Sequence, residues 1–150
     1  MVRSDRGEKS MREERDVPIV TELASTIGFE ISDYSPGSCV VECTIEEKHL
    51  NIGGVAHGGI HATLLDTAMG GTLLSLLSGE EWCATAQLDI SYLDSVGPGT
   101  RLIAHAEVIR RGRNLAHLEG RIDSEDGKKI ATAKGTWAIG ERRQESQEGH

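Results

Sequence analysis

Residues 58–78 read GGIHATLLDTAMGGTLLSLLS. Every position there is apolar, small or uncharged except Asp66, the only carboxylate between Asn51 and Gly79. The run has the length of a long helix, is apolar nearly all round and ends at a glycine, which predicts a helix over 58–78 buried on most sides. A carboxylate in such surroundings loses its hydration unless something compensates it. The two glycines at the start leave backbone N–H groups open to close approach by a ligand. One element therefore carries an anion-binding helix start and a costly acid, a pairing that points to acyl-transfer or hydrolytic chemistry rather than packing alone.

Upstream of this helix, Pro18 suits the first turn of a short helix with Val20, Leu23, Ala24 and Ile27 on one face and Gly28 as its C-cap. Residues 29–34 read as a strand, 35–38 as a Pro-Gly turn, and 39–47 as a half-buried strand alternating Cys39, Val41, Cys43 and Ile45 with Glu42, Thr44 and Glu46. A Gly-containing loop from His49 to Ala56 leads into the long helix. Downstream, residues 82–94, 100–111, 115–123 and 129–139 read as strands separated by short turns, which predicts an antiparallel meander. In the first of these, Trp82, Ala84, Ala86, Leu88, Ile90 and Tyr92 alternate with Thr85, Gln87, Asp89 and Ser91. The order predicts an α+β domain over residues 18–140 whose antiparallel sheet wraps one long helix. A mobile charged arm is expected at 1–17 and a solvated tail at 141–150.

Composition narrows the function. A formal charge of −8 makes sequence-independent nucleic-acid binding a poor fit, since that relies on Lys and Arg at phosphates. No run reaches the roughly 20 apolar residues of a membrane span, and the charged N-terminus has no apolar segment of a secretory leader. A soluble, cytoplasmic protein is expected, with no nucleic-acid or membrane partner. Cys39 and Cys43 would sit on one strand face about 13 Å apart, too far for a disulfide. With Cys83 they read as small core hydrophobes in a reducing compartment. His49, His61, His105 and His117 show no metal-ligand spacing, and solvated or satisfied roles are expected for them; no metal or cofactor is expected. The chain lacks the phosphate loop, serine elbow and zinc-protease motifs.

The segment H-L-N-I-G-G-V-A-H-G-G-x6-D, with Asn51, Gly54, His57-Gly58-Gly59, Leu65, Asp66 and Gly70, resembles the hotdog-fold acyl-CoA thioesterases. The likeness is greatest to the phenylacetate-pathway type of the 4-hydroxybenzoyl-CoA thioesterase superfamily. The strand A-T-A-Q-L-D-I-S-Y-L and the R-R-G-R turn support it, and it spans roughly residues 20–140. The resemblance implies a long helix gripped by a curved sheet, subunits that join their sheets, and active sites at a dimer interface, in a homodimer or a dimer-of-dimers tetramer. It implies Asp66 as general base or nucleophile, the Gly58 N–H as oxyanion donor, Asn51 as a positioning amide and Thr85 as a hydroxyl partner on the facing strand.

Each of these residues also has a plain structural reading. Asp66 would be an acid capped by strand hydroxyls, Gly58 and Gly59 a turn requirement, Asn51 an Asx-turn residue and Thr85 an ordinary strand residue. His57 reads either as a substrate contact or as a structural residue whose ring bonds a backbone carbonyl. Gly59 joins the candidate substrate-binding residues, as do Arg110, Arg111 and Arg113, whose planar forks suit the phosphates of coenzyme A. A solvated hairpin tip is their alternative.

Helix geometry adds a constraint. Gly58 and Asp66 are eight residues apart, so their backbones lie about 12 Å apart along one axis. A carboxylate acting at a carbonyl held by Gly58 must come within about 3 Å of the reacting atom or its water. Either the two groups are unrelated, or a second copy brings its Asp66 to this chain's Gly58. The leading expectation is hydrolysis of an acyl-CoA thioester. The alternatives are a non-catalytic acyl-CoA sensor and a hotdog dehydratase or hydratase.

Overall fold

The computed structural model describes residues 21–143 of the 150-residue chain. The charged arm expected at 1–17, most of the tail expected at 141–150 and Pro18 lie outside those residues. Helix α1 (Glu22–Ile27) begins not at Pro18 but under Thr21, whose extended backbone places its hydroxyl to accept from the Ala24 N–H at 3.2 Å. Gly28 closes α1 as expected, at φ 86° in the left-handed region that glycine adopts without strain. Strands β1 (Phe29–Ser35) and β2 (Ser38–Thr44) follow, then a 3₁₀ turn (Glu47–His49) and the long helix α2 (Gly58–Leu74). Strands β3 (Glu81–Tyr92), β4 (Arg101–Arg111), β5 (Leu115–Ser124) and β6 (Lys129–Glu141) complete the domain.

The six strands form one antiparallel sheet in the order β1-β2-β4-β5-β6-β3. The expectation of a four-strand meander is therefore corrected. Strands β4, β5 and β6 are sequential neighbours, but β3 lies beyond β6 at the sheet edge. The connection through residues 93–100, containing Gly97-Pro98-Gly99, is a crossover rather than a hairpin turn. Leu93 and Asp94 donate to Ile130 O, Ala56 donates to Val96 O, and Gly99 donates to Ile45 O, so the segment is tied to β6 and then to the far end of β2. A hairpin needs only a few residues; this connection has enough to reach across the sheet.

One face of the sheet packs on α2. It presents Cys39, Val41 and Cys43 from β2, Leu102 and Ala104 from β4, Leu118 and Ile122 from β5, and Trp137 from β6, all buried. The helix answers with Leu64, Leu65, Ala68, Met69 and Leu73. Small residues set the spacing: a Cβ at Gly71 would lie 2.6 Å from Cys39 Sγ, and one at Gly120 would lie 2.8 Å from Met69 Sδ. An added methyl at either contact forces the layers apart. The cysteines behave as core hydrophobes, with Cys39 and Cys43 buried and all three free. Burial, helped by Asp33, pushes the Cys39 thiol up to about 11, so it stays protonated.

The long helix departs from expectation in two ways. It ends at Leu74 rather than near Gly79, because Ser75 stops it: its hydroxyl donates to Thr72 O at 2.6 Å and accepts from Gly37 N–H at 2.8 Å, tying the helix end to the β1–β2 turn. It is also buried on one side only. Ala62, Thr63, Asp66, Thr67 and Gly70 form a half-exposed stripe, so the acid does not pay full desolvation within a single chain. Thr63 and Thr67 in that stripe return their hydroxyls to the carbonyls four residues back, at 2.9 and 2.7 Å.

Candidate active site

Asp66 faces β3 from the middle of α2. Thr85 Oγ1 donates to Asp66 Oδ1 at 2.6 Å, a short charge-assisted bond that orients the carboxylate. A bulge makes the contact possible. Thr85 pairs with Trp137 and Gln87 with Thr136, so Ala86 is the extra residue on β3. Before the bulge Cys83 and Thr85 point at the helix, while after it Leu88, Ile90 and Tyr92 do. Strict alternation had placed Thr85 on the face opposite Leu88, Ile90 and Tyr92, and the bulge corrects that by reversing parity at one residue. Among the described residues no cation pairs with Asp66. Cys83, one helical turn along at Gly70 O, is held as a thiol: burial first, then the Asp66 carboxylate, push its pKa up.

The other end of the candidate site is the start of α2. Gly58 opens the helix, so its N–H has no carbonyl a turn back to bond. His57 is the N-cap, and its ring does not bond a carbonyl as the structural reading supposed. Instead Nδ1 accepts from the Gly59 N–H at 2.8 Å, which places the ring proton of the neutral imidazole on Nε2. The two glycines are explained by side chains of this chain rather than by φ. A Cβ at Gly59 would lie 2.9 Å from His57 Nδ1, and one at Gly58 would lie 3.1 Å from Tyr92 Oη. Tyr92 Oη donates to Gly58 O at 2.7 Å, tying the end of β3 to the first residue of α2.

Asn51 is used by its own loop. Its Oδ1 accepts from Gly53 N–H at 2.8 Å and Val55 N–H at 3.4 Å, an Asx-type turn that leaves the Nδ2 donor for other work. The loop returns to the core through His57 N–H donating to His49 O at 2.8 Å. His49 is buried and satisfied, with Nδ1 accepting from Glu46 N–H at 2.8 Å and Nε2 directed at Ile27 O at 2.5 Å. His61 differs from expectation: it is buried, and its Nε2 has no partner among the described residues.

Of the three arginines at the β4–β5 turn, Arg111 is engaged, donating to Glu81 Oε2 at 2.5 Å and to Gly112 O at 3.3 Å. Among the described residues Arg110 and Arg113 have no ion-pair partner, and both are exposed. No group of His, Cys, Asp and Glu among the described residues is arranged to hold a metal ion. None of the described helices is long and apolar enough to cross a membrane.

The structure thus brings Asp66 and Thr85 together, and separately gathers His57, Gly58, Gly59 and Tyr92. Asp66 and Gly58 share helix α2, and Thr85 and Tyr92 share β3. A depression of about 700 Å³ lined by Asp89, His105, Glu107, Arg121 and Lys134 lies on the sheet face turned away from α2 and contains neither group. Sequence reasoning missed Tyr92, His61 and Cys83 as neighbours of the site. The facing of Cys83, like that of Thr85, was hidden by the bulge. Tyr92 lay on the apolar face that alternation gives, but its bond to Gly58 O joins residues 34 apart in sequence. For His61 the only signal was its place four residues after His57 on the same helix.

Residues 53–131 match the model of the thioesterase superfamily, slightly more than half of the chain. A putative esterase of Deinococcus radiodurans is 32% identical over 120 residues, covering 79% of this chain and 80% of that protein. Human acyl-coenzyme A thioesterase 13 is 30% identical over 109 residues, 71% of this chain and 76% of that one. A hypothetical thioesterase of Streptococcus pneumoniae, solved with coenzyme A, superposes with a TM-score of 0.70 at 28% identity, covering 77% of this chain and 91% of that one. The chain belongs to the thioesterase superfamily, and it is a thioester hydrolase of the hotdog fold.

Proposed function

We propose that the chain hydrolyses acyl-CoA thioesters to a free acid and coenzyme A at two equivalent sites, each built from both subunits of a homodimer. The observation that carries this reading is the Asp66–Thr85 pair on the half-exposed stripe of α2, about 12 Å along the same helix from the unpaired Gly58 N–H. A single helix cannot apply both to one carbonyl, whereas two antiparallel copies can. The edge position of β3 supports the pairing. Its 12 residues carry Thr85, the exposed Trp82 and Tyr92, and a row of backbone donors and acceptors with no strand beside it among the described residues. Two such edges side by side continue the sheet and bring the helices together.

In this reading the thioester carbonyl accepts from Gly58 N–H, reinforced by the helix N-terminus. Asp66 of the other subunit activates a water or attacks the carbonyl itself, with Thr85 fixing one carboxylate oxygen and leaving Oδ2 free. The new C–O bond forms first, and the Gly58 N–H holds the oxyanion of the tetrahedral intermediate; its collapse breaks the C–S bond, and coenzyme A leaves as a thiolate that takes up a proton. Where Asp66 is the nucleophile, water then cleaves the acyl–Asp66 anhydride to the free acid and restores the carboxylate. Asn51 offers its Nδ2 to the substrate or water, while His57 and Gly59 shape the oxyanion turn. Arg110 and Arg113 meet the coenzyme A phosphates, and Arg111 joins them on leaving Glu81. The coenzyme A in the pneumococcal structure supports this substrate class.

The test is thiol release across a panel of acyl-CoAs, followed with a thiol-trapping dye, together with sedimentation of the active species. Turnover of at least one acyl-CoA by a dimer or a dimer of dimers is expected. Full activity in a monomer removes the shared site. Tight binding without release from any acyl-CoA removes hydrolysis of this class.

A further inference from the structure

We propose that His61 is a positioning residue for the oxyanion donor: its Nδ1–H bonds the carbonyl of the His57–Gly58 peptide and so strengthens and aims the Gly58 N–H. This rests on the reading of Gly58 given above. The imidazole is only 3% exposed, and its Nδ1 lies 3.3 Å from His57 O. A carbonyl oxygen only accepts, so Nδ1 carries the proton and the neutral ring presents a bare Nε2. That Nε2 is the one buried side-chain nitrogen or oxygen among the described residues without a partner. An unsatisfied buried atom is costly, and a leucine would fill the position without it, so the polar atom that earns the histidine its place is Nδ1.

The chemistry follows from the peptide unit. His57 C=O and Gly58 N–H belong to one conjugated plane. His57 O already accepts from Ile60 N–H at 2.9 Å, and His61 adds a second donor. Drawing electron density onto that oxygen makes the N–H of the same unit a better donor, the cooperativity of linked hydrogen bonds. The His61 ring also meets Tyr92 edge to face, with centroids 5.3 Å apart and planes at 76°. Tyr92 in turn holds Gly58 O. His61 therefore bears on the peptide before Gly58 directly and on the carbonyl after it through Tyr92. Burial lowers its pKa against the raising effect of the His57 bond, which favours the neutral ring; the tautomer is set by the bond to His57 O.

Two variants separate donation from packing. His61→Phe keeps a ring against Tyr92 and loses the donor. His61→Asn loses the ring but puts an amide nitrogen at the same distance from Cβ as Nδ1. In His61→Phe, kcat for an acyl-CoA is expected to fall about fivefold with KM little changed, as for loss of one hydrogen bond felt in the transition state. The Gly58 amide ¹⁵N resonance should shift in the same variant. In His61→Asn both readouts should return toward wild type. The reverse order, with His61→Phe normal and His61→Asn impaired, is the pattern of a packing residue and overturns the proposal, as does no change in either. Long-range ¹H–¹⁵N spectra of the wild type must place the ring proton on Nδ1; a proton on Nε2 overturns it with no variant needed. If the wild type hydrolyses no acyl-CoA, the substrate reading fails, while the Gly58 resonance still decides whether His61 acts on that peptide.

Discussion

Thr85 reaches Asp66 across the helix–sheet interface with a hydroxyl-to-carboxylate bond of 2.6 Å, and it does so because Ala86 is an extra residue in its strand. The bond fixes one carboxylate oxygen; in the proposed mechanism the other acts on the water or the carbonyl. Replacing Asp66 by Ala should lower kcat by about 10² or more, the loss attached to a missing general base or nucleophile. Thr85→Ala leaves the carboxylate in place but free to rotate, so a fall of about tenfold or less is expected. Steady-state rates on the best acyl-CoA check both, and equal losses in the two variants would contradict this division of roles.

The cap at the start of α2 makes a stability prediction. A Cβ at Gly59 would meet His57 Nδ1 at 2.9 Å, so Gly59→Ala displaces the ring that caps the Gly59 N–H. Loss of an N-cap costs about 1 kcal/mol. Chemical denaturation of Gly59→Ala should show a loss of about that size, together with a loss of activity, because the cap residue directly precedes Gly58. His57→Asn supplies a shorter capping acceptor and should recover most of the stability.

The fold was legible where periodicity is local. The α1 cap at Gly28, the alternation of β2 and the bounds of β4, β5 and β6 follow from spacing alone, and so does the start of α2. What was not legible depended on contacts distant in sequence. Ser75 ends α2 because Gly37 bonds it from the β1–β2 turn, and nothing near residue 75 announces that partner. The position of β3 beyond β6 is a property of the crossover at 93–100, whose glycines and proline fit a hairpin equally well. The bulge at Ala86 is silent in sequence because Ala suits either face. It hid that Thr85 looks at the same helix as Tyr92; the link from Tyr92 to Gly58 was not legible because it joins residues 34 apart in sequence. The placement of Gly58 and Asp66 about 12 Å apart on one helix needed only the helix and its rise; two half-sites are the proposal built on it.

His61 gives the pH dependence of stability a sign. Its folded pKa lies below the ordinary 6.5, chiefly through desolvation, so in the window below 6.5 the unfolded chain binds a proton that the native chain does not. Its contribution is fully present above pH 6.5 and is lost as pH falls toward the folded value. Thermal unfolding of wild type and His61→Asn compared from about pH 5 to pH 8 should therefore diverge only on the acid side, with the wild type losing stability faster. A difference that is constant across the range would contradict a buried neutral His61.

Among the described residues Arg110 and Arg113 have no ion-pair partner, while Arg111 is held by Glu81. If they meet coenzyme A phosphates, Arg110→Glu with Arg113→Glu should raise KM for an acyl-CoA by about tenfold or more while leaving an acyl-pantetheine, which lacks the nucleotide phosphates, nearly unaffected. The effect should shrink as salt is added, because the groups are exposed. Equal effects on both substrates would assign the pair to a solvated hairpin tip.

The half-site arrangement makes its sharpest prediction in a mixture of two inactive proteins. Asp66→Ala removes the carboxylate. Gly58→Pro removes the donor at the one helix position where proline is well tolerated, and His57 before it already has the extended backbone that a following proline requires, at φ −61° and ψ 135°. Tyr92 Oη, which would lie 3.1 Å from a Cβ at Gly58, must give by a few tenths of an ångström. Each variant alone has two broken sites. A heterodimer of the two has one site broken twice and one with Gly58 from the first chain and Asp66 from the second, both intact. Random exchange makes about half the dimers mixed, each with one working site of two, so unfolding and refolding the variants together should restore about a quarter of wild-type activity. If Gly58 and Asp66 instead served one site within each chain, every mixture would stay as inactive as its parts.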